Sequence, residues 1–246
     1  MNEKEPLIDL LIHDLTGPLS IVSTSVHSLL KKEETCKTVT DEQRATLERI
    51  LRNANKARSL LQEMIEIYRS EEGLFRKAHF SIDDVIQSAL LDAVEITDPA
   101  LAEKLACSAD YKIFRHILDE HGIHVEVTGA YSTSPFAHDQ KKIEQILRNL
   151  LTNALKYRKT YINLSVSGDM DLVIAVEDDG SGIPKEKQDY VFRRFFQQKN
   201  RIKSGAEGLG FGLSCVKALV ETMHGDITLK SGEGKGTCFT VRIPPL

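Results

Sequence analysis

The chain has 246 residues, of which 36 are acidic and 32 basic, so its formal net charge is −4 with histidine neutral. At about 100–200 residues per domain, this length suits one large domain or two ordinary ones. Apolar residues make up 41% and charged residues 28%, the proportions of a soluble globular protein, and the mildly acidic balance argues against binding nucleic acid through overall charge. No apolar stretch approaches the roughly 20 residues that cross a bilayer, and the N-terminus lacks the pattern of a secretory signal. Cys36, Cys107, Cys215 and Cys238 lie far apart with no CxxC, which argues against a disulfide framework or a zinc site and fits a reducing compartment. A cytoplasmic chain, or the cytosolic piece of a larger protein, is expected.

The first seventy residues carry two heptad-like seams. Ile8, Ile12, Leu15, Leu19, Val22, Val26 and Leu29 form one; Leu47, Ile50, Ala54, Ala57, Leu61, Met64 and Tyr68 form the other. Thr40 is placed to cap the second helix, with Asp41 and Glu42 in the first turn, where the helix dipole favours acids. Two helices joined by a short loop fold back as an antiparallel hairpin. A lone hairpin buries too little, so pairing of two hairpins into a four-helix bundle, and hence a homodimer, is expected.

After Glu71-Glu72-Gly73 the pattern changes. Ser81 caps a helix that Asp98-Pro99 interrupts, and a further helical stretch runs to about Glu120, where His121-Gly122 ends it. Ile123 to Val127 alternates like a strand, and Asp139 to Lys156 reads as a helix with Ile143, Ile146, Leu147, Leu150 and Leu151 on its apolar face. Further strands are predicted over Tyr161 to Ser167, Leu172 to Glu177, Asp226 to Ser231 and Thr237 to Ile243, with a helix from about Leu213 to Met223. An antiparallel sheet with helices on one face, an α+β sandwich, follows.

Three glycine clusters stand out: Asp178-Asp179-Gly180-Ser181-Gly182, Gly208-Leu209-Gly210-Phe211-Gly212, and Gly232 to Thr237. Each alone is weak, since glycines serve phosphate cradles and ordinary turns alike. The third reads best as a hairpin turn. The second opens a helix, where free N–H groups suit an anion, yet it fits neither a Rossmann pattern nor a P-loop. On the preceding helix, Asn149, Asn153 and Lys156 share one face. Taken alone these are a solvated helix surface; beside the glycine-flanked Asp178, a site for Mg²⁺ and phosphate oxygens is the alternative.

The order of these segments resembles that of a bacterial two-component sensor histidine kinase, with a HisKA-type hairpin and a Bergerat-type (GHKL) ATP-binding domain. Asn149 to Tyr157 is similar to the family's N box, Asp178 to Pro184 to its first glycine box, Phe192 to Phe196 to its F box, and Gly208 to Leu213 to its second glycine box. His13-Asp14-Leu15-Thr16-Gly17-Pro18-Leu19 resembles the H box, and His224-Gly225-Asp226 with Gly234 to Thr237 the closing segment. The resemblance implies a dimerisation and phosphotransfer domain over 1–72 and a catalytic ATP-binding domain over 73–246. It implies autophosphorylation of His13, with Asp14 orienting the imidazole, and transfer to an aspartate of a response-regulator receiver domain. ATP would be held by Asn149, Asn153, Lys156, Tyr157, Asp178, Gly180, Gly182, Ile183, Phe195, Gly208, Gly210, Gly212, Leu213 and Thr237, with Asn153 and Asn149 at Mg²⁺ and Asp178 at the adenine amine. Magnesium keeps several waters, so carboxamides suffice as protein ligands.

Three features depart from that pattern. Gly17 stands where the family places a Thr or Asn tied to phosphatase activity. Gln197 and Gln198 follow the F box in place of an arginine, with Lys199, Arg201 and Lys203 beyond them. The stretch from Asp92 to Asp119 is longer than the family's usual connection and is assigned no role. The alternative that these departures keep open is a non-catalytic, nucleotide-binding scaffold of a two-component pathway. Only twelve residues precede His13, so either a partner supplies the signal or this is an excised core.

Overall fold

The computed structural model describes residues 17–29, 40, 42–51, 53–54, 57, 75–108, 110–193 and 212–246. Two compact units meet in sequence at Arg69 and Ser70.

In the first unit, residues 17–29 are helical (α1), and so are the described residues of 42–57 (α2). The start of α2 is a capping box. The Gln43 amide donates to Thr40 Oγ1 (3.3 Å), and the Thr40 amide donates to Gln43 Oε1 (2.9 Å). Two of the orphan amides at the helix start are satisfied this way. Of the predicted seam, Val26 and Ala54 are buried, whereas Val22, Leu29 and Ile50 remain exposed, with Ile21 beside them.

The second unit holds a five-stranded sheet and a two-stranded one. The strands are β1 (Ala78–Phe80), β2 (Ile123–Val127), β3 (Phe136–His138), β4 (Ile162–Ser167), β5 (Leu172–Asp178), β6 (Asp226–Ser231) and β7 (Thr237–Ile243). The helices are α3 (Ile82–Thr97), α4 (Pro99–Ala106), α5 (Tyr111–Glu120), α6 (Gln140–Tyr157), α7 (Lys185–Gln188) and α8 (Gly212–Thr222). The large sheet runs β2-β4-β5-β7-β6, and β1 pairs with β3 apart from it. Along β4, β5 and β7 the side chains alternate between a buried face and one partly open to solvent. On the buried side α6 packs against β5, α3 and α8, while α8 covers β6 and β7. The result is one layer of helices over a mixed sheet.

Three details differ from the sequence reading. The sheet is not wholly antiparallel: β2 pairs in parallel with β4, Ile123 opposite Ile162. The intervening chain includes α6 on the helical layer, and a crossover of that kind returns the next strand in the same direction. The stretch after Pro99 is two helices, because Asp110 starts a new one by accepting from Ile113 N (2.9 Å). Finally, β1 and β3 are three residues each, too short for alternation to declare itself. The predicted cap at Ser81 is present, accepting from Asp83 N at 3.2 Å, and Gly122 adopts φ +70° where α5 ends.

Leu150, on the stripe of α6 that faces the core, is 1% exposed. Leu150→Ala should cost about 2–5 kcal/mol in urea unfolding of the second unit. Ile113→Ala on the outer side of α5, 44% exposed, should stay within about 0.5 kcal/mol.

Candidate nucleotide site

Helix α6 carries its apolar residues Ile143, Ile146, Leu147, Leu150, Leu151 and Ala154 inward. Asn149 and Asn153, four apart, stand half-buried at the border of that stripe. Among the described residues, neither carboxamide has a hydrogen-bond partner. Asn149 Oδ1 lies 3.6 Å from where a Cβ on Gly212 would stand, so the first residue of α8 meets the middle of α6. Two unpaired amides beside a helix start are suited to anionic oxygens and a hard cation.

Strand β5 ends on Asp178, which is 6% exposed. Its Oδ1 accepts from Gly180 N (2.8 Å), the one hydrogen bond to this carboxylate among the described residues. Burial pushes its pKa up to about 6, against the lowering effect of that bond and with help from the charges of Asp179 and Glu177. Such a carboxylate gains from a donor brought by a ligand. Thr237, also buried, is its cross-strand partner on β7, opposite Ile162 of β4 on the other side.

The chain turns away from Asp178 through glycines that admit no side chain. A Cβ on Gly180 would come within 2.4 Å of the Tyr157 carbonyl oxygen; on Gly182, at φ +69°, it would meet the Gly232 carbonyl oxygen at 1.8 Å. Ile183 N then donates to Ser231 Oγ (2.8 Å), and Gln188 Nε2 donates to the carbonyls of Ile183 (2.9 Å) and Ser231 (3.0 Å). The third glycine cluster is thus the predicted hairpin turn, and it also braces the first. At the end of α6, Lys156 Nζ lies 5.5 Å from the ring centre of Tyr157, which is 39% exposed.

Of the predicted site, Asn149, Asn153, Lys156, Tyr157, Asp178, Gly180, Gly182, Ile183, Gly212, Leu213 and Thr237 belong to this second unit and are described. His13, Asp14, Phe195, Gly208 and Gly210 lie outside the described residues. Ser231, Gln188 and Asp179 were not singled out by their spacing. Only the doublet of acids before a glycine gave a signal for Asp179.

Fold and site together define a domain with one layer of helices over a mixed sheet. Residues 138–246 match the family described as histidine kinase-, DNA gyrase B- and HSP90-like ATPase. The resemblance to sensor histidine kinases extends along nearly the whole chain. The adaptive-response sensory kinase SasA of Gloeothece citriformis is 25% identical over 98% of this chain and 58% of its own length. The autoinducer 2 sensor kinase/phosphatase LuxQ of Vibrio cholerae is 29% identical over 94% of this chain and 25% of its own. The sensor protein SrrB of Staphylococcus aureus is 26% identical over 98% of this chain and 38% of its own. The chain therefore spans less than two thirds of these relatives. Full-length ShkA, solved in complex with AMPPNP, shares the fold with a TM-score of 0.67 at 20% identity, covering 98% of this chain and 46% of that one. The histidine kinase AdeS of Acinetobacter baumannii gives 0.51 at 22%, covering 93% and 97%. Among the described residues, no helix is long and apolar enough to cross a membrane.

A carboxylate whose folded pKa is raised holds its proton more tightly than in the unfolded chain. Stability contributed by Asp178 is therefore highest below about pH 4 and falls as pH rises to about 6 and beyond. Raising the carboxyl to about 6 in this way corresponds to about 3 kcal/mol. Denaturant melts at pH 4.5 and 6.5 should show this slope flattened in Asp178→Asn relative to the wild type.

Proposed function

We propose that the protein is an ATP-dependent histidine kinase core that autophosphorylates His13 and passes the phosphoryl group to an aspartate of a response-regulator receiver domain. One observation carries the reading: a buried Asp178 with one donor among the described residues stands in the same unit as Asn149 and Asn153, whose carboxamides have no partner among those residues, and the tight glycine turn after Asp178 abuts the Tyr157 carbonyl at the end of the same helix. In this reading residues 1–72 dimerise and present His13, residues 73–246 bind ATP, and the chain works in the cytoplasm. The exposed Val22, Leu29 and Ile50 favour a second copy of the hairpin completing a four-helix bundle.

Asp178 accepts the adenine amine, and Thr237 beside it closes the base pocket. Asn153 and Asn149 would hold Mg²⁺, which would supply neutralisation of phosphate charge. Lys156 and Tyr157 flank the nucleotide, and the start of α8 at Gly212 and Leu213 turns its amides toward the phosphates. Asp14 accepts the Nδ1 proton of His13, leaving Nε2 to attack the γ-phosphorus while the bond to the bridging oxygen breaks and ADP departs. The protein's work is positioning and charge complementarity.

Incubation with γ-labelled ATP and Mg²⁺ should label the wild type and leave His13→Ala unlabelled; label retained in the mutant would refute the assignment. Asn153→Ala should abolish labelling while leaving the oligomeric state unchanged, since it lies in the other unit. Asp178→Asn should weaken ATP binding by about 1.5–3 kcal/mol in calorimetry and narrow the preference for adenine over guanine.

Gly17 is exposed on α1, and a Cβ there would meet nothing beyond its own helix within 4 Å. A side chain is therefore sterically admissible. Its absence leaves nothing at this position to hold a water in line with a receiver phosphoaspartate. Phosphatase activity toward a purified phosphorylated receiver, measured with ADP and Mg²⁺, should be low and should rise in Gly17→Thr or Gly17→Asn. Rapid decay with the unmutated protein would contradict this.

A further inference from the structure

Asp178 ends β5 and Asp179 follows it, and the two carboxylates meet opposite environments. Asp178 is buried with one donor among the described residues. Asp179, half-buried, collects donors from one short stretch of chain. Its Oδ1 accepts from the amides of Lys159 (2.8 Å), Thr160 (3.0 Å) and Tyr161 (3.2 Å), and its Oδ2 accepts from the amide (3.0 Å) and the hydroxyl of Thr160. Three successive amides aimed at one carboxylate form an anion-binding nest, filled here by the protein itself. Partial burial would raise the Asp179 pKa, but the Thr160 hydroxyl and the three amides together outweigh it and hold the group at about 2. It stays ionised throughout the working range.

The clamped stretch is the link between the two walls of the site. It follows Arg158, the C-cap of α6, and leads into Ile162, the register partner of Asp178. The Tyr157 carbonyl just before it is what excludes a side chain at Gly180. Any slackening of residues 159–161 therefore moves the Tyr157 end of α6 relative to Asp178. Resting on the ATP-site reading above, we propose that Asp179 is a positioning residue of the nucleotide site, its carboxylate clamping the α6–β4 turn so that Asp178 and the Asn149–Tyr157 helix keep their spacing.

A second consequence separates this role from a purely structural staple. Glu177 on β5 and Asp179 just beyond it flank Asp178, and both raise its pKa. The residues paired beside it, Ile162 and Thr237, carry no charge. From the cap of α6, Arg158 feels the charge of Asp179 and donates to the His121 carbonyl; Lys156 on α6 lies over the Tyr157 ring, and the β6–β7 turn carries Glu233 and Lys235. An ionised Asp178 is the better acceptor, so ATP affinity rises with pH through the Asp178 titration near 6. Removing the charge of Asp179 while keeping an acceptor oxygen must lower that midpoint.

The test is MgATP binding by the full chain between pH 5 and 8, followed by calorimetry and by a fluorescent ATP analogue. Asp179→Ala should retain its far-ultraviolet circular dichroism and lose about tenfold or more in affinity at pH 8. Asp179→Asn, whose amide oxygen can still take the three backbone donors, should lose less and show a midpoint below that of the wild type. Wild-type affinity in a folded Asp179→Ala, or an unmoved midpoint in Asp179→Asn, overturns the proposal, and the second result decides even if the alanine variant does not fold. Asp178→Asn runs alongside: if it binds ATP as the wild type does, the nucleotide reading itself fails. Weak binding there with unaffected Asp179 variants overturns the positioning role alone.

Discussion

The burial of α6 is the constraint on which the site rests. Ile143, Ile146, Leu147, Leu150, Leu151 and Ala154 are all nearly inaccessible, and helical periodicity allows only one rotation that covers them together. That rotation leaves Asn149 and Asn153 half-buried at the border between core and solvent, without a partner among the described residues. With the cost of disturbing such a core at about 2–5 kcal/mol per large truncation, the helix cannot roll to accommodate a ligand. Its polar edge is presented as a fixed surface, and the catalytic chemistry proposed for it is mostly positioning.

The sheet supplies the second fixed point by a different route. Antiparallel pairing sets Asp178 between Ile162 and Thr237, so its carboxylate points toward the helical layer with the apolar side chains of β5. An acid in that position is costly when ionised and without a donor. Among the described residues no cation pairs with it, and a single glycine amide is the donor they offer. The neighbouring Asp179 has five hydrogen bonds and no comparable penalty. Alternation along β5 thus turns Asp178 inward, while Asp179, just past the strand end, binds the turn before β4.

Much of this was legible in the residues. The stripe of α6, the caps at Thr40, Ser81 and Gly122, and the bounds of β6 and β7 follow from period and capping chemistry, which are local. The parallel pairing of β2 with β4 was not, because register between strands separated by a helix depends on the crossover and leaves no mark in either strand. Nor was the division of 99–120 into α4 and α5, where an Asp110 cap competes with continued helix over a few residues. The three-residue strands β1 and β3 escape any periodic test. At the site, the motif residues could be named, while Ser231 and Gln188 act through partners about 43–48 positions away, a distance at which spacing carries no information.

The β6–β7 turn shows how a feature with an ordinary explanation still takes part in the site. Its glycines are what a tight hairpin needs, and Gly234 at φ +74° has open space around it. Yet the amide of Gly234 donates to the Ser181 carbonyl (2.7 Å), Ser231 Oγ receives Ile183 N and donates to the Gly236 carbonyl (2.7 Å), and Gln188 bridges both segments. The loop after Asp178 is therefore held from β6 and β7, as the turn before it is held by Asp179. Two braces from opposite sides fix a segment that has little side-chain packing of its own. A nucleotide pocket built from glycines needs this, because the residues that let a backbone approach a ligand also pay the largest entropy cost for staying in place. The braces lower that cost by tying each side of Asp178 to a strand already ordered by the sheet.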